Sequence, residues 1–282
     1  MKKVKLHLNY AGHCLSNEHH AIRGGRRREI EFQALWGLIE HPEFGNVLYD
    51  TGYTSRFFEA TKNYPNKIYA KITKVIINKS DEVASQLKSN NIDPKSINHV
   101  IITHFHADHV GGMKDFPNAL FYCSKVALKH VMNISKSIAF SRGVLKSLLP
   151  DNLKDRVHII EDHCTAQKDE ILGKTFDLFG DDSIRIVELP GHGAGQIGVL
   201  LETQKRPYFL IADACWLKKS YQEMILPNPI VRLFFDSWKD FKNSLAKVNR
   251  YYKDNPEVVI VPTHCSESTN PLVSSKIDFD VL

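Results

Sequence analysis

The sequence predicts a mixed α/β layered domain. Three observations carry this: β-branched apolar runs in both hairpin and helix-separated order, an amphipathic helical pattern among the later runs, and a globular composition, 43% hydrophobic and 24% charged over 282 residues. Ile30 to Ile39 carries Phe32, Leu35, Trp36 and Leu38. His41-Pro42-Glu43-Phe44-Gly45 then turns the chain into Asn46-Val47-Leu48-Tyr49-Asp50, a hairpin pattern that Asp50-Thr51-Gly52 closes in a turn. Residues 55–80, rich in Tyr, Lys and Ile, have no assignable period. Ser80 is the expected N-cap of a helix in which Asp81 and Glu82 suit the positive end and Val83, Ala84 and Leu87 share a face. Asn90-Asn91 stops it and Asp93-Pro94 turns the chain. His99-Val100-Ile101-Ile102-Thr103 reads as a buried strand, as do Ser183 to Leu189, Ile197 to Leu201, Tyr208 to Ile211 and Val258 to Val261. The segment Ser124 to Leu153 reads as irregular helix. Ser237 to Arg250 sets Trp238, Phe241, Leu245 and Val248 on one helical face.

No repeat, low-complexity tract or linker-like stretch divides the chain, so one domain over residues 1–282 is expected. No window approaches the roughly 18–20 apolar residues of a membrane span. The basic start has no apolar stretch behind it. A soluble cytoplasmic protein with no membrane partner is the expectation. The 37 basic and 32 acidic side chains leave a net charge of +5, too small a surplus to imply a nucleic-acid partner unless concentrated. The one dense basic run, Arg23-Gly24-Gly25-Arg26-Arg27-Arg28, reads as a solvated loop between strands, with contact to an anionic substrate or polymer as the other reading. Five scattered cysteines without a C-x-x-C pair argue against a disulfide framework and a zinc knuckle.

The chemistry lies in the histidines. Past the Val100–Ile102 run stands Thr103-His104-Phe105-His106-Ala107-Asp108-His109-Val110-Gly111-Gly112, with four potential metal ligands within six residues. In extended chain His104 and His106 share a face, and a turn after His106 brings Asp108 and His109 round beside them. Imidazole and carboxylate suit Zn²⁺, and Fe or Mn accept them. A histidine-rich surface loop is the plain alternative, and the buried apolar strand leading into the cluster argues against it. Three more candidates each follow an apolar run: His192 after Ser183–Leu189, Asp213 after Tyr208–Ile211, and His264 after Val258–Val261. Ligands at strand ends along one sheet edge make a rigid cup.

With these residues in place, the sequence resembles the metallo-β-lactamase-fold hydrolase superfamily. The resemblance runs from the strand before Asp50 to His264, through the H-x-H-x-D-H motif and its approach, Ile92 to His104. It implies a four-layer αββα sandwich with two divalent metal ions at its open edge, zinc first and iron or manganese as alternatives. By position, His104, His106 and His192 would hold one ion and Asp108, His109 and His264 the other. Asp213 would bridge them, and Asp50 would support ligands from behind. Within the superfamily the sequence most resembles the N-acyl homoserine lactonase-like branch, on size, on His264 as well as His192, on Pro190-Gly191-His192 and on the lack of a long nuclease insert.

That resemblance implies a small-molecule substrate. The expected reaction is attack on an ester or lactone carbonyl by a hydroxide shared between ions about 3.5–4 Å apart, with Asp108 and Asp213 as catalytic carboxylates. A thioesterase or phosphodiesterase on the same site, and a metal-holding protein without turnover, remain the other readings. Where the branch usually has a tyrosine three residues after the bridging aspartate, this chain has Trp216. Trp216 is expected to wall the pocket, with packing into the core as the other reading, and Tyr221 to replace the hydroxyl if the loop after Trp216 folds back over the site. Cys215 and Cys265, next to candidate ligands, are expected either to touch a metal or to pack as small hydrophobes.

Overall fold

The computed structural model describes residues 2–279, so the expected bounds of 1–282 pass beyond the described residues at both ends. One sheet contains β1 (Lys5–Asn17), β2 (Glu29–His41), β3 (Gly45–Tyr49), β4 (Lys74–Ile76), β5 (His99–Ile101), β6 (Leu120–Cys123) and β7 (Val157–Ile159), in the order β4-β1-β2-β3-β5-β6-β7. The second contains β8 (Thr165–Asp169), β9 (Gly173–Asp177), β10 (Ile184–Glu188), β11 (Ile197–Leu201), β12 (Tyr208–Ala212) and β13 (Val259–Pro262), in the order β13-β12-β11-β10-β9-β8. β3, β5, β6 and β7 run parallel, as do β12 and β13, while the hairpins are antiparallel.

Strand alternation produces the layers. On β2, Leu35 and Ile39 join Leu210 of β12 and Val199 of β11 in a core between the sheets, while Trp36 and Leu38 point the other way, towards Val83, Leu87 and Val131 on helices. On β12, Tyr208 and Leu210 face the first sheet, while Phe209 and Ile211 meet Leu245 and Val248 of the helix Trp238–Asp254. The result is helix, sheet, sheet, helix, the expected four-layer sandwich. The expected 237–250 helix is this one, capped by the Ser237 hydroxyl, which accepts from Asp240 N at 3.2 Å.

Two local expectations are corrected. The helix expected from Ser80 begins at Val83, because Lys79–Asp81 form a separate 3₁₀ turn closed by reciprocal bonds between Asn78 and Asp81; Glu82 takes the N-cap position. The unassigned 55–80 stretch contains the helices Arg56–Ala60 and Asn66–Ile72 and the edge strand β4. No helix among the described residues is long and apolar enough to cross a membrane.

Candidate metal centre

All seven expected ligands meet at one edge of the two sheets. His104 lies just beyond β5, and the short helix Ala107–Val110 turns Asp108 and His109 back beside it. His192, Asp213 and His264 stand just past β10, β12 and β13. The two halves are joined at this edge, where Ile197 N donates to Thr103 O at 3.0 Å. The side-chain donor atoms of His104, His106 and His192 lie within 4.8 Å of one another, as do those of His104, His109 and Asp213, and those of Asp108, His109 and His264. Asp213 is central: its Oδ2 lies 3.0 Å from His264 Nε2 and 3.2 Å from His192 Nε2, and its Oδ1 lies 3.6 Å from His109 Nε2.

Two non-glycine residues with left-handed backbone flank the site, Asp50 at φ 54° and Ala212 at φ 47°, where β12 slips register against β13. Asp50 is fully buried, and its carboxylate accepts from Thr103 N (2.9 Å), Thr103 Oγ1 (2.8 Å) and His109 Nδ1 (2.7 Å). Those bonds turn His109 Nε2 into the cluster. Thr103, which the sequence reading used only as a strand end, ties the carboxylate to the histidine strand. Gln33 O does the same for His264, accepting from Nδ1 at 2.7 Å. Asp50→Ala should weaken metal retention roughly 10–100-fold while the chain stays folded. Titration with a competing chelator reads this directly, and unchanged retention would remove Asp50 from the supporting role.

The electrostatics of the cluster suit cations. Burial pushes His106 down to about 3 and His192 to about 4, and takes His104 well below the usual imidazole range, so these three are neutral donors. Burial would raise both carboxylates, yet His109 and His264 hold Asp108 down at about 2, and His264 and His192 hold Asp213 well below its ordinary value. Burial would lower His109 and His264, but Asp108 and Asp50 raise the first and Asp213 raises the second. Buried His104 Nε2, His109 Nε2 and Asp213 Oδ1 have no hydrogen-bond partner among the described residues. Orphaned imidazole nitrogens and a carboxylate oxygen converging on one space are a donor set that divalent cations satisfy. The residues present fit the group.

A cavity of about 440 Å³ opens beside the cluster, lined by His106 and His192 together with Phe32, Tyr69, Phe140, Trp216 and Phe234. Trp216 packs against His192 (ring centroids 5.6 Å) and Phe32 (5.5 Å), and its indole N–H donates to Asp213 Oδ2 at 3.2 Å. Its one donor is therefore committed to the aspartate. The expectation for Tyr221 is corrected: it is buried between β13 and the helix Trp238–Asp254, its hydroxyl 3.5 Å from Ile260 O and its carbonyl accepting from Asn249 Nδ2 at 2.7 Å. The tyrosine that lines the cavity among the described residues is Tyr69, on the helix Asn66–Ile72, a residue the sequence reading missed. Burial pushes that phenol well up, with Asp108 the foremost charge facing it. Neither Cys215 nor Cys265 belongs to a metal-capable cluster among the described residues. Cys215 lies 3.6 Å from Leu217 O, and Cys265 accepts from Lys218 N at 3.1 Å.

Comparison with known proteins adds a family match, a relative and two solved structures. A family model, Metallo-beta-lactamase superfamily, matches residues 30–206. N-acyl homoserine lactonase AttM of Rhizobium radiobacter is 24% identical over 272 residues, 94% of each chain. A solved N-acyl homoserine lactone hydrolase, with the product N-hexanoyl-L-homoserine bound at its catalytic metal centre, superposes with TM-score 0.75 over 96% of each chain at 17% identity. AidC, a dizinc quorum-quenching lactonase, does so with TM-score 0.61 at 12% identity over 94% of this chain and 89% of that one. At such identities the structural likeness shows the shared fold.

Proposed function

The chain belongs to the metallo-beta-lactamase superfamily and is a metal-dependent hydrolase, and from that premise we propose that it opens lactones, N-acyl homoserine lactones or close analogues. The observation that carries the reading is the join between site and cavity. His106 and His192, two of the seven candidate ligands, share a wall with Phe32, Phe140, Phe234 and Trp216, so a polar carbonyl and an apolar acyl chain on one molecule are each accommodated. The relatives named as lactonases support the same substrate class.

In this reading His104, His106 and His192 would hold one divalent ion, Asp108, His109 and His264 a second, and Asp213 stands between the two sets. Divalent ions there, zinc first, would supply Lewis-acid polarisation of a carbonyl and a water of lowered pKa. The chain's own groups do the rest. Asp213 is anchored by His192, His264 and the Trp216 indole. Asp108, kept ionised by His109 and His264, is the carboxylate that takes a proton and passes it to the leaving oxygen. Tyr69, the tyrosine lining the cavity among the described residues, offers a hydroxyl to the substrate. No thiol competes as nucleophile: burial pushes Cys14, the one cysteine lining the cavity among the described residues, up to about 12.

A panel of lactones of rising acyl length, esters, thioesters and phosphodiesters tests the proposal. Lactones should have the highest kcat/KM, increasing with chain length; faster turnover of thioesters or phosphodiesters would overturn the lactonase reading. On the same panel Trp216→Ala should raise KM for long-chain lactones about tenfold or more, from lost apolar contact, with metal content intact. Because the indole also holds Asp213, Trp216→Phe separates the wall from the hydrogen bond. Kinetics unchanged in both variants would put the acyl wall elsewhere.

A further inference from the structure

The surface around the cavity mouth carries a pattern that hydrolysis does not require. Residues 60–80 contain five lysines and no acidic residue. On the helix Asn66–Ile72, Tyr69 and Ala70 pack against the core. Ile68 and Ile72, four residues apart on one stripe, face solvent, Ile72 at 61% exposure, with Tyr64 and Ile76 exposed before and after them. Lys62, Lys67 and Lys71 are exposed among them and make no ion pair among the described residues. The stripe runs into the cavity, whose wall includes Ile72 and Lys74. Across the mouth Phe140 and Phe234 line the cavity, with Leu233, 73% exposed, next to the latter. The Arg23–Arg28 run is the connection between β1 and β2; its arginines are exposed, and His20 and Glu29 at its two ends line the same cavity.

Single exposed apolar residues need no explanation, but a cluster of them set among charges mostly of one sign marks an interaction surface. The charge sign selects the partner. Projecting isoleucines and leucine beside Lys62, Lys67, Lys71 and the exposed Arg23, Arg26 and Arg27, with only Arg28 and Lys74 of the rim cations held by Glu18 and Glu29, match shallow insertion into an anionic lipid surface, where each free cation adds attraction. We propose that this rim docks on an anionic lipid bilayer, so that apolar substrates enter the cavity directly from the membrane. The docking rests on the cavity mouth and its surroundings and is independent of which carbonyl is cleaved. The expectation of no membrane partner rested on the lack of a spanning segment, which does not bear on surface docking.

Co-sedimentation of the full chain with phosphatidylcholine vesicles, with and without an equal part of phosphatidylglycerol, tests this. Binding should require phosphatidylglycerol and weaken as salt rises. Lys67→Ala/Lys71→Ala should lower partitioning roughly thirtyfold. Ile68→Ser should lower it as well, and both variants should hydrolyse a short, water-soluble lactone or ester as the parent chain does, which reports that they fold. No binding to either vesicle, equal binding to both, or full binding by the lysine variant would overturn the proposal. Self-association without lipid that Ile68→Ser abolishes would assign the patch to a second copy of this chain and overturn it too.

Discussion

Asp213→Ala should reduce kcat/KM by on the order of 10⁴-fold, while Cys215→Ala and Cys265→Ala stay within a few-fold of the parent chain. The contrast follows from position. Asp213 lies 3.0 Å from His264, 3.2 Å from His192 and 3.6 Å from His109, so it touches both candidate ligand sets, and removing it would strip the anion from between the two cations those sets would hold, leaving them to repel across a few ångströms of low-dielectric protein. Cys215 and Cys265 point at backbone groups of the loop after Trp216, within chain-neighbour distance of the ligands but turned away from them. Kinetics with elemental analysis on the three variants decides the matter. A Cys215→Ala protein that loses metal while Asp213→Ala retains it would show that the ligand set is wrong.

The second large effect is expected at Gly191, immediately before His192. Its φ of +132° is a conformation L side chains rarely adopt, and a Cβ there would lie 2.1 Å from Phe241 N and 2.3 Å from Phe241 Cα. The obstacle is backbone of the long helix Trp238–Asp254, so it cannot rotate aside. Gly191→Ala should cost more than about 4 kcal/mol of folding stability. If the chain still folds, it should do so by lifting His192 away from His106 and Asp213 and losing metal. Gly173→Ala is the control: its φ is also left-handed, at +77°, but nothing lies within 4 Å of the added carbon, so the cost should be about 1–2 kcal/mol. Denaturant unfolding of both variants measures the difference, and equal midpoints would show that the helix yields.

The candidate site was far more legible in the sequence than its surroundings, for a physical reason. A strand end fixes both the position and the rough direction of the next residue, so His104, His192, Asp213 and His264 could be placed at one sheet edge from apolar runs alone. Tyr221 failed because seven residues separate it from Asp213, the last three already in the helix Lys218–Glu223, which turns its ring into the layer behind the sheet, against Tyr252 at 5.3 Å. Tyr69 was invisible for the opposite reason. In residues 60–80 the apolar residues that recur at helical spacing, Ile68, Ile72 and Ile76, are exposed, so the period points away from the face that carries Tyr69. β1 escaped in part because its alternation is broken by a register shift between Tyr10 and His13. The four layers were expected from the resemblance; their physical basis, adjacent residues of β2 and β12 serving different cores, is visible only in the structure.

The most direct measurement is a metal titration of the chelated chain with lactone turnover read at every point. We expect hydrolysis of an N-acyl homoserine lactone to rise to a plateau only as the second equivalent of zinc per chain is bound, because seven ligands exceed what one four-coordinate ion can use and suit two ions that share Asp213. Full lactone turnover at one equivalent, or none at two, would contradict a dinuclear lactone hydrolase.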